Sequence, residues 1–277
     1  MNAASPRSAI SHWMETLRPR VQPAVQAVGG PLEQLISPAL ARPVDLKSIP
    51  IAGLVDHTLL KPEATPEQVD RLCEEALEYR FAAVCVHSGY VARVAARLSG
   101  SDVAPCSVVG FPFGTNLTAV KVYEARQAIA VGAREVDMVL AIGLLKAGEY
   151  ALVAEDLVDI TRAAHAQGVL VKLILETALL SDEEKVAACL LAAGTGMDFV
   201  KTSTGFAGGG ATAADVALMR QVVGDRLGVK AAGGVRTLDD ARTMVAAGAT
   251  RLGTSAGVNI ARKAQGETAA AVSSPGY

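Results

Sequence analysis

Phe199-Val200-Lys201-Thr202-Ser203-Thr204-Gly205 and Gly228-Val229-Lys230-Ala231-Ala232-Gly233-Gly234-Val235-Arg236 set the pattern of this chain. Each is a short β-branched run that holds one lysine and ends in a glycine-rich turn. Leu170-Val171-Lys172-Leu173-Ile174-Leu175 repeats the first half of that design upstream. The same rhythm predicts strands at Leu54–Leu59, Ala82–Val86, Ala104–Gly110, Glu135–Ala141, Leu170–Leu175, Phe199–Thr202, Gly228–Ala231 and Arg251–Gly253. The Ala/Leu-rich stretches between them predict helices, among them Pro66–Tyr79, Glu149–Gln167, Asp182–Ala193, Ala213–Val223 and Leu238–Ala247. Thr65-Pro66 before Glu67, and Ser181 before Asp182-Glu183-Glu184, are helix starts; Gly132, Gly168 and Gly248 are stops. Eight such units in about 215 residues predict an α/β fold, a (β/α)8 TIM barrel in one domain. A doubly wound open sheet is the alternative. Against it, no GxGxxG follows the first strand, and eight units make a full barrel.

The chain has 277 residues, 26 Lys+Arg against 28 Asp+Glu, a net charge of -2, 51% hydrophobic and 4% aromatic residues. Its core must therefore be built from Ala, Val, Leu and Ile, and that content excludes intrinsic disorder for most of the chain. Near-neutral charge and a pI near 6.1 argue against a nucleic-acid partner. A mean hydropathy of +0.31 raises the question of a membrane span. The longest uncharged run in the body, Val103–Val120, holds Pro105, Gly110, Pro112, Gly114 and Asn116, which suit strand and loop rather than a spanning helix. No membrane partner is expected. The N-terminus shows no apolar signal segment, so a cytoplasmic location is expected. Cys73, Cys85, Cys106 and Cys189 form no CxxC pair and are expected as reduced thiols. The four histidines show no HExxH or other metal spacing, so no metal is expected. Residues 1–48 are punctuated by prolines and are expected as an N-terminal extension, partly ordered, with short helical pieces at Ile10–Leu17 and Leu32–Ile36. Residues 49–265 are expected to form the barrel, and residues 266–277 a flexible tail.

The strands carry ionisable residues that a plain core would avoid. Val55-Asp56, Val136-Asp137, Val171-Lys172, Val200-Lys201 and Val229-Lys230 alternate, and Val84-Cys85 adds a thiol. If the valines face the helices, the polar partners face the barrel interior. Buried charges cost several kcal/mol each unless paired, so two Asp and three Lys read as a mutually compensated cluster. An internal salt-bridge network that merely fills the barrel is the plainer reading. Three lysines are a poor structural device but a good chemical one. At ~6 Å and an effective dielectric of ~20, a neighbouring ammonium opposes protonation by roughly 2.8 kcal/mol, about a hundredfold in proton affinity. Neutral amine is the form that attacks a carbonyl to give a Schiff base. The ring thus reads as imine chemistry, with Asp137 as proton shuttle or water orienter. Spacing alone does not decide whether Lys172, Lys201 or Lys230 is the nucleophile.

Three glycine-rich loops follow the last strands: Thr202–Gly210, Ala231–Arg236 and Gly253–Gly257. All fall at the C-terminal ends of strands, where barrel active sites and their phosphate sites sit. Glycines admit an anion to backbone N–H groups, and helix N-termini add a favourable dipole. A phosphate is the expected ligand, with Arg236 either holding it or capping its loop.

Asp56-His57-Thr58-Leu59-Leu60-Lys61-Pro62, Glu135-Val136-Asp137-Met138-Val139, Val200–Phe206 and Val229–Arg236 closely resemble deoxyribose-phosphate aldolase, over about Ile49 to Arg262. The resemblance implies a class I barrel aldolase that needs no metal or cofactor. Its substrates would be the sugar phosphate 2-deoxy-D-ribose 5-phosphate and the aldehydes acetaldehyde and D-glyceraldehyde 3-phosphate. By the same resemblance Lys201 is the Schiff-base lysine, Lys230 the lysine that perturbs it, and Asp137 the acidic proton relay. Gly205, Gly233, Gly234, Gly253 and Ser255 match substrate and phosphate positions; Thr202, Lys172, Asp56 and Cys85 are expected to line the site. Ala256 stands where many members carry a second serine, and Phe206 where some carry a lysine. Some members end in a tyrosine that reaches the site, which makes Tyr277 a candidate. His57 and His87 are expected to be structural. Partners are small molecules, and the assembly stands open as a homo-oligomer, dimer or tetramer. The alternatives are a class I aldolase for a longer sugar phosphate and a barrel that binds sugar phosphates without turnover.

Overall fold

Short strands buried on both faces need a partner on both edges, and a closed parallel barrel supplies one for each. The computed structural model describes residues 6–31 and 50–266. Within them β1 (Val55–Thr58), β2 (Ala83–Val86), β3 (Ala104–Val109), β4 (Glu135–Val139), β5 (Leu170–Ile174), β6 (Phe199–Lys201), β7 (Gly228–Ala232) and β8 (Arg251–Thr254) pair in parallel, in that order, and β8 closes on β1. The expected strands recur with shifted ends; the largest difference is Glu135–Ala141, which narrows to Glu135–Val139. The helices between are α2 (Pro66–Tyr79), α3 (Val91–Arg97), α4 (Thr118–Ala130), α5 (Ile142–Lys146), α6 (Tyr150–His165), α7 (Asp182–Gly194), α8 (Ala213–Val223), α9 (Leu238–Ala246) and α10 (Gly257–Ala264), with α1 (Pro6–Ala27) ahead of the barrel. Leu32–Ile36 and the tail ending at Tyr277 lie outside the described residues.

Local chemistry starts and stops these helices. Thr65 accepts from the Gln68 N–H while its own N–H donates to the Gln68 side chain; Ser181 with Glu184 and Thr237 with Asp240 form the same reciprocal caps. Gly132, Gly168 and Gly248 end α4, α6 and α9 at positive φ.

The N-terminal helix is longer than the piece expected at Ile10–Leu17. It runs through Pro19 and Pro23. A proline inside a helix costs about 3 kcal/mol, which is why the prolines read as breakers. Here Leu17, Val21 and Val25 are fully buried and Ile10 and Ala24 nearly so, a stripe at helical spacing that packs on α7 and α6. Each buried aliphatic side chain contributes about 1.5–3 kcal/mol, so tertiary burial outweighs the broken hydrogen bonds.

Strand alternation then divides the side chains. Val55, Val84, Val136, Val171, Val200, Val229 and Leu252 face the helices in the main core. A smaller cluster of Leu60, Ala83, Cys85, Ala104, Cys106 and Val108 fills the interior on the β2–β3 side. The opposite side of the interior is charged.

Candidate active site

Every charged residue expected to point inward does so. Asp56 on β1, Asp137 on β4, Lys172 on β5 and Lys230 on β7 are fully buried, and Lys201 on β6 is 2% exposed. Asp137 is the hub. Its Oδ1 accepts from Lys172 at 2.7 Å, and its Oδ2 accepts from Lys201 at 2.9 Å and from Lys230 at 2.7 Å. Lys230 also forms an ion pair with Asp56 Oδ2 at 2.5 Å.

Two further charges belong to this cluster. Glu135 stands two residues before Asp137 and faces the same interior. It accepts from Lys172 at 2.5 Å and from Arg251 of β8, which also donates to Asp56 at 2.7 Å. The Phe199 ring lies beneath, 5.4 Å from the Arg251 guanidinium and 6.0 Å from Lys172 Nζ. The interior thus holds four cations (Lys172, Lys201, Lys230, Arg251) and three carboxylates (Asp56, Glu135, Asp137), one positive charge in excess. Glu135, Phe199 and Arg251 were legible from the two-residue strand period, counting back from Asp137, Lys201 and Gly253.

Those carboxylates reverse one expectation. Repulsion among lysines alone would ease their deprotonation. Burial does push the Lys230 ammonium down, but Asp137 and Asp56 outweigh it and hold Lys230 above the usual lysine range. Lys172 is raised in the same way, burial being outweighed by Asp137, Glu135 and Asp56 among its neighbours. Burial pushes Asp137 up, yet Lys172, Lys201 and Lys230 together hold its carboxyl well below the usual range. Lys172 and Lys230 are therefore anchored ammonium groups.

Lys201 is placed differently. Among the described residues it pairs with Asp137 alone, on an oxygen it shares with Lys230. It lies opposite Ile174 and Lys230, whereas Lys172 lies opposite Phe199, so Lys201 sits two residues nearer the C-terminal rim. Of the three lysines it is the one with any exposure. A reactive amine needs this combination of access and a single, contested anchor.

The glycine loops meet above it. Gly233 has φ +85, and a Cβ there would lie 3.0 Å from Gly210 Cα; the Ala211 N–H donates to the Gly233 carbonyl at 2.9 Å. The loops after β6 and β7 therefore interlock. Gly253 leaves room for Lys230, since a Cβ would lie 3.0 Å from its Cε. Ser255 is half-buried, and α10 begins at Gly257 after Ala256, which offers no capping side chain. Gly205 adopts φ +89 in the loop after β6.

Several expected residues have other occupations. The Thr202 hydroxyl donates to the Ala232 carbonyl at 2.9 Å and accepts from its N–H, so it ties β6 to β7. Asp56 and Lys172 are enclosed beneath the rim and act through the charges that they hold. Arg236 is exposed, and its N–H donates to Asp240, a contact that serves the start of α9. His57 pairs with Glu75 and His87 with the Leu60 carbonyl. Cys85 lines the interior beside Cys106, which the sequence did not single out. Glu176, also unforeseen, is buried at positive φ and accepts from the Thr204 N–H at 3.1 Å, bracing the loop after β6. Tyr277 lies outside the described residues. A groove of about 1250 Å³ between α4 and α6, lined by Leu117, Val122, Arg126 and Glu155, lies on the outer surface away from this cluster.

The family model described as DeoC/LacD family aldolase matches residues 51–264. A deoxyribose-phosphate aldolase of Lysinibacillus sphaericus is 57% identical over 209 residues, which cover 76% of this chain and 93% of that one. Its counterpart in Halalkalibacterium halodurans is 57% identical over 211 residues, covering 76% and 94%. The solved tetrameric deoxyribose phosphate aldolase of Aeropyrum pernix superposes with a TM-score of 0.73 at 32% identity, covering 87% of this chain and 97% of that one. With its closed eight-stranded barrel and inward lysines, the chain belongs to the DeoC/LacD family of aldolases.

Proposed function

We propose that this chain is a class I aldolase that reversibly cleaves 2-deoxy-D-ribose 5-phosphate to acetaldehyde and D-glyceraldehyde 3-phosphate. The observation that carries the reading is the shared acceptor: Lys201 and Lys230 both donate to Oδ2 of Asp137. Lys201, the least anchored of the three lysines, transfers a proton through Asp137 and attacks the aldehyde carbon of the open-chain sugar. Loss of water leaves a protonated imine, which is itself the electron sink, so the step calls for no metal. Asp137, through water and Lys230, removes the proton of the C3 hydroxyl. The C2–C3 bond breaks, glyceraldehyde 3-phosphate departs, and the enamine is reprotonated at carbon. Hydrolysis of the imine releases acetaldehyde and restores Lys201.

The phosphate is held at Gly205, Gly233, Gly234, Gly253 and Ser255. The uncapped N-terminus of α10 supplies backbone donors on the same rim. The interlocked loops position it so that the sugar's far end reaches Lys201. The curated relatives' names and the length of the family match support this substrate. A homo-oligomer is part of this reading, supported by the tetramer named for the Aeropyrum pernix relative. So is a cytoplasmic place; among the described residues no helix is long and apolar enough to cross a membrane.

The test is mass spectrometry after reaction with acetaldehyde and cyanoborohydride. One ethyl adduct on Lys201, absent in Lys201→Leu, is the expected result. An adduct on Lys172 or Lys230 reverses the roles. No site-selective adduct, with sugar-phosphate binding intact, replaces the aldolase with a binding barrel. Comparison of acetaldehyde with dihydroxyacetone phosphate as donor separates it from an aldolase for longer sugars.

A further inference from the structure

Cys85 and Cys106 stand opposite each other as register partners on β2 and β3. Both face the barrel interior, and both are fully buried, as is Asp137 on β4. The two sulfurs and a carboxylate oxygen of Asp137 lie within 4.8 Å of one another, and Cys106 Sγ is 3.3 Å from Asp137 Oδ1. A tetrahedral ion with bonds of about 2.3 Å to sulfur and about 2.1 Å to oxygen sets S···S near ~3.8 Å and S···O near ~3.6 Å. The Cys106–Asp137 separation of 3.3 Å lies near that spacing, and no pair of the three donors is farther apart than 4.8 Å. We propose that Cys85, Cys106 and Asp137 form a site for a thiophilic divalent cation of the zinc class, and that its occupation switches the enzyme off.

Lys172 Nζ donates to both Cys106 Sγ at 3.6 Å and Asp137 Oδ1 at 2.7 Å, so it must withdraw from these two donors before the ion enters. Coordination exchanges two thiol protons for one dication, so the charge of the cluster is unchanged. Lys172 can release Asp137 Oδ1 because it keeps Glu135 at 2.5 Å. A water entering from the mouth of the barrel completes the coordination. Inhibition follows from the loss of Asp137: a carboxylate bound to a dication is a poor proton acceptor for Lys201 and Lys230. The binding stands on the geometry alone, and only the inhibition rests on the aldolase reading.

The test uses the full chain, reduced and stripped with a chelator, titrated with cobalt(II) as the probe and then with zinc. The expected result is one cobalt per chain with a thiolate-to-cobalt charge-transfer band in the near ultraviolet, displaced by zinc. Turnover falls in step with occupancy and returns with EDTA. Cys85→Ala and Cys106→Ala each lose the band and bind cobalt at least tenfold more weakly, while Cys73→Ala and Cys189→Ala keep it. Stoichiometric cobalt binding with no thiolate band, or a band that survives in Cys106→Ala, overturns the site. So does an unmodified chain that binds no cobalt, a measurement that requires no variant to fold. A band with unchanged turnover overturns the switch. Imine trapping on the metal-free chain reads the aldolase assignment separately.

Discussion

Lys201 and Lys230 are register partners on neighbouring strands, and both donate to the same oxygen of Asp137, at 2.9 and 2.7 Å. Lys230 has a second carboxylate in Asp56, and among the described residues Lys201 has no second one. The two lysines differ in chemistry because they differ in anchoring.

Replacing Lys230 by Met removes the competitor for Asp137 Oδ2 and one cation beside Lys201. Lys201 is then the one β6 or β7 donor left to that oxygen. We expect kcat to fall by about 10²–10³, with the rising limb of the pH–rate profile moved to higher pH and KM within a few-fold. A profile superimposable on the unmodified enzyme's would remove Lys230 from the proton inventory.

Asp137→Asn leaves Lys201 and Lys230 without their shared anion. Breaking a buried ion pair costs about 3–5 kcal/mol, which corresponds to a fall in Tm on the order of 10 °C for a chain of this size. Turnover should drop by about 10²–10⁴, while slow imine trapping stays on Lys201. Calorimetry and trapping on one preparation separate the two effects; a stable variant with near-normal turnover would refute the hub role.

Asp56 ties folding to acid pH. Burial pushes its carboxyl up, but Arg251, Lys230 and Lys172 outweigh it, so it is held below its ordinary range. A carboxyl with a depressed folded pKa contributes stability above its unfolded pKa of about 3.9, and that contribution is lost as the pH falls below it. The Tm of the unmodified chain should therefore decline below about pH 4. Asp56→Asn should start about 3–5 kcal/mol less stable at pH 7 and decline less steeply. Parallel slopes for the two proteins would show that Asp56 does not carry the linkage.

Gly234 has φ +80, where an L side chain costs about 1–2 kcal/mol. Gly234→Ala should distort the loop after β7 and raise KM for deoxyribose 5-phosphate about tenfold. Cleavage of unphosphorylated 2-deoxyribose should be untouched. Equal losses on both substrates would place the phosphate elsewhere.

Leu17 is fully buried between α1 and the barrel helices. Leu17→Ala should cost about 2–5 kcal/mol and leave the rate of imine trapping unchanged. An unaltered Tm would mean that α1 does not unfold with the barrel.

The barrel, its eight strands and the inward residues of each strand were legible in the amino-acid order, because a period of two is written within each strand and needs no partner. Continued two residues back, that period also reaches Glu135, Phe199 and Arg251. It brought Asp137, Lys201 and Lys230 to one interior, and their motifs named the family. The rest came from contacts between elements distant in the chain. Closure of the barrel placed Asp56 and Asp137 around Lys230 and raised its proton affinity, where the lysines alone had implied the opposite. Register placed Lys201 one layer above Lys172 and left it a single contested partner. It also set Cys85 against Cys106, whose spacing along the chain matches no metal motif. Burial against α7 carried α1 through two prolines that local propensity would have broken. In each case the deciding energy is a contact across strands or helices, and its sign depends on which charges and surfaces the fold brings within a few ångströms.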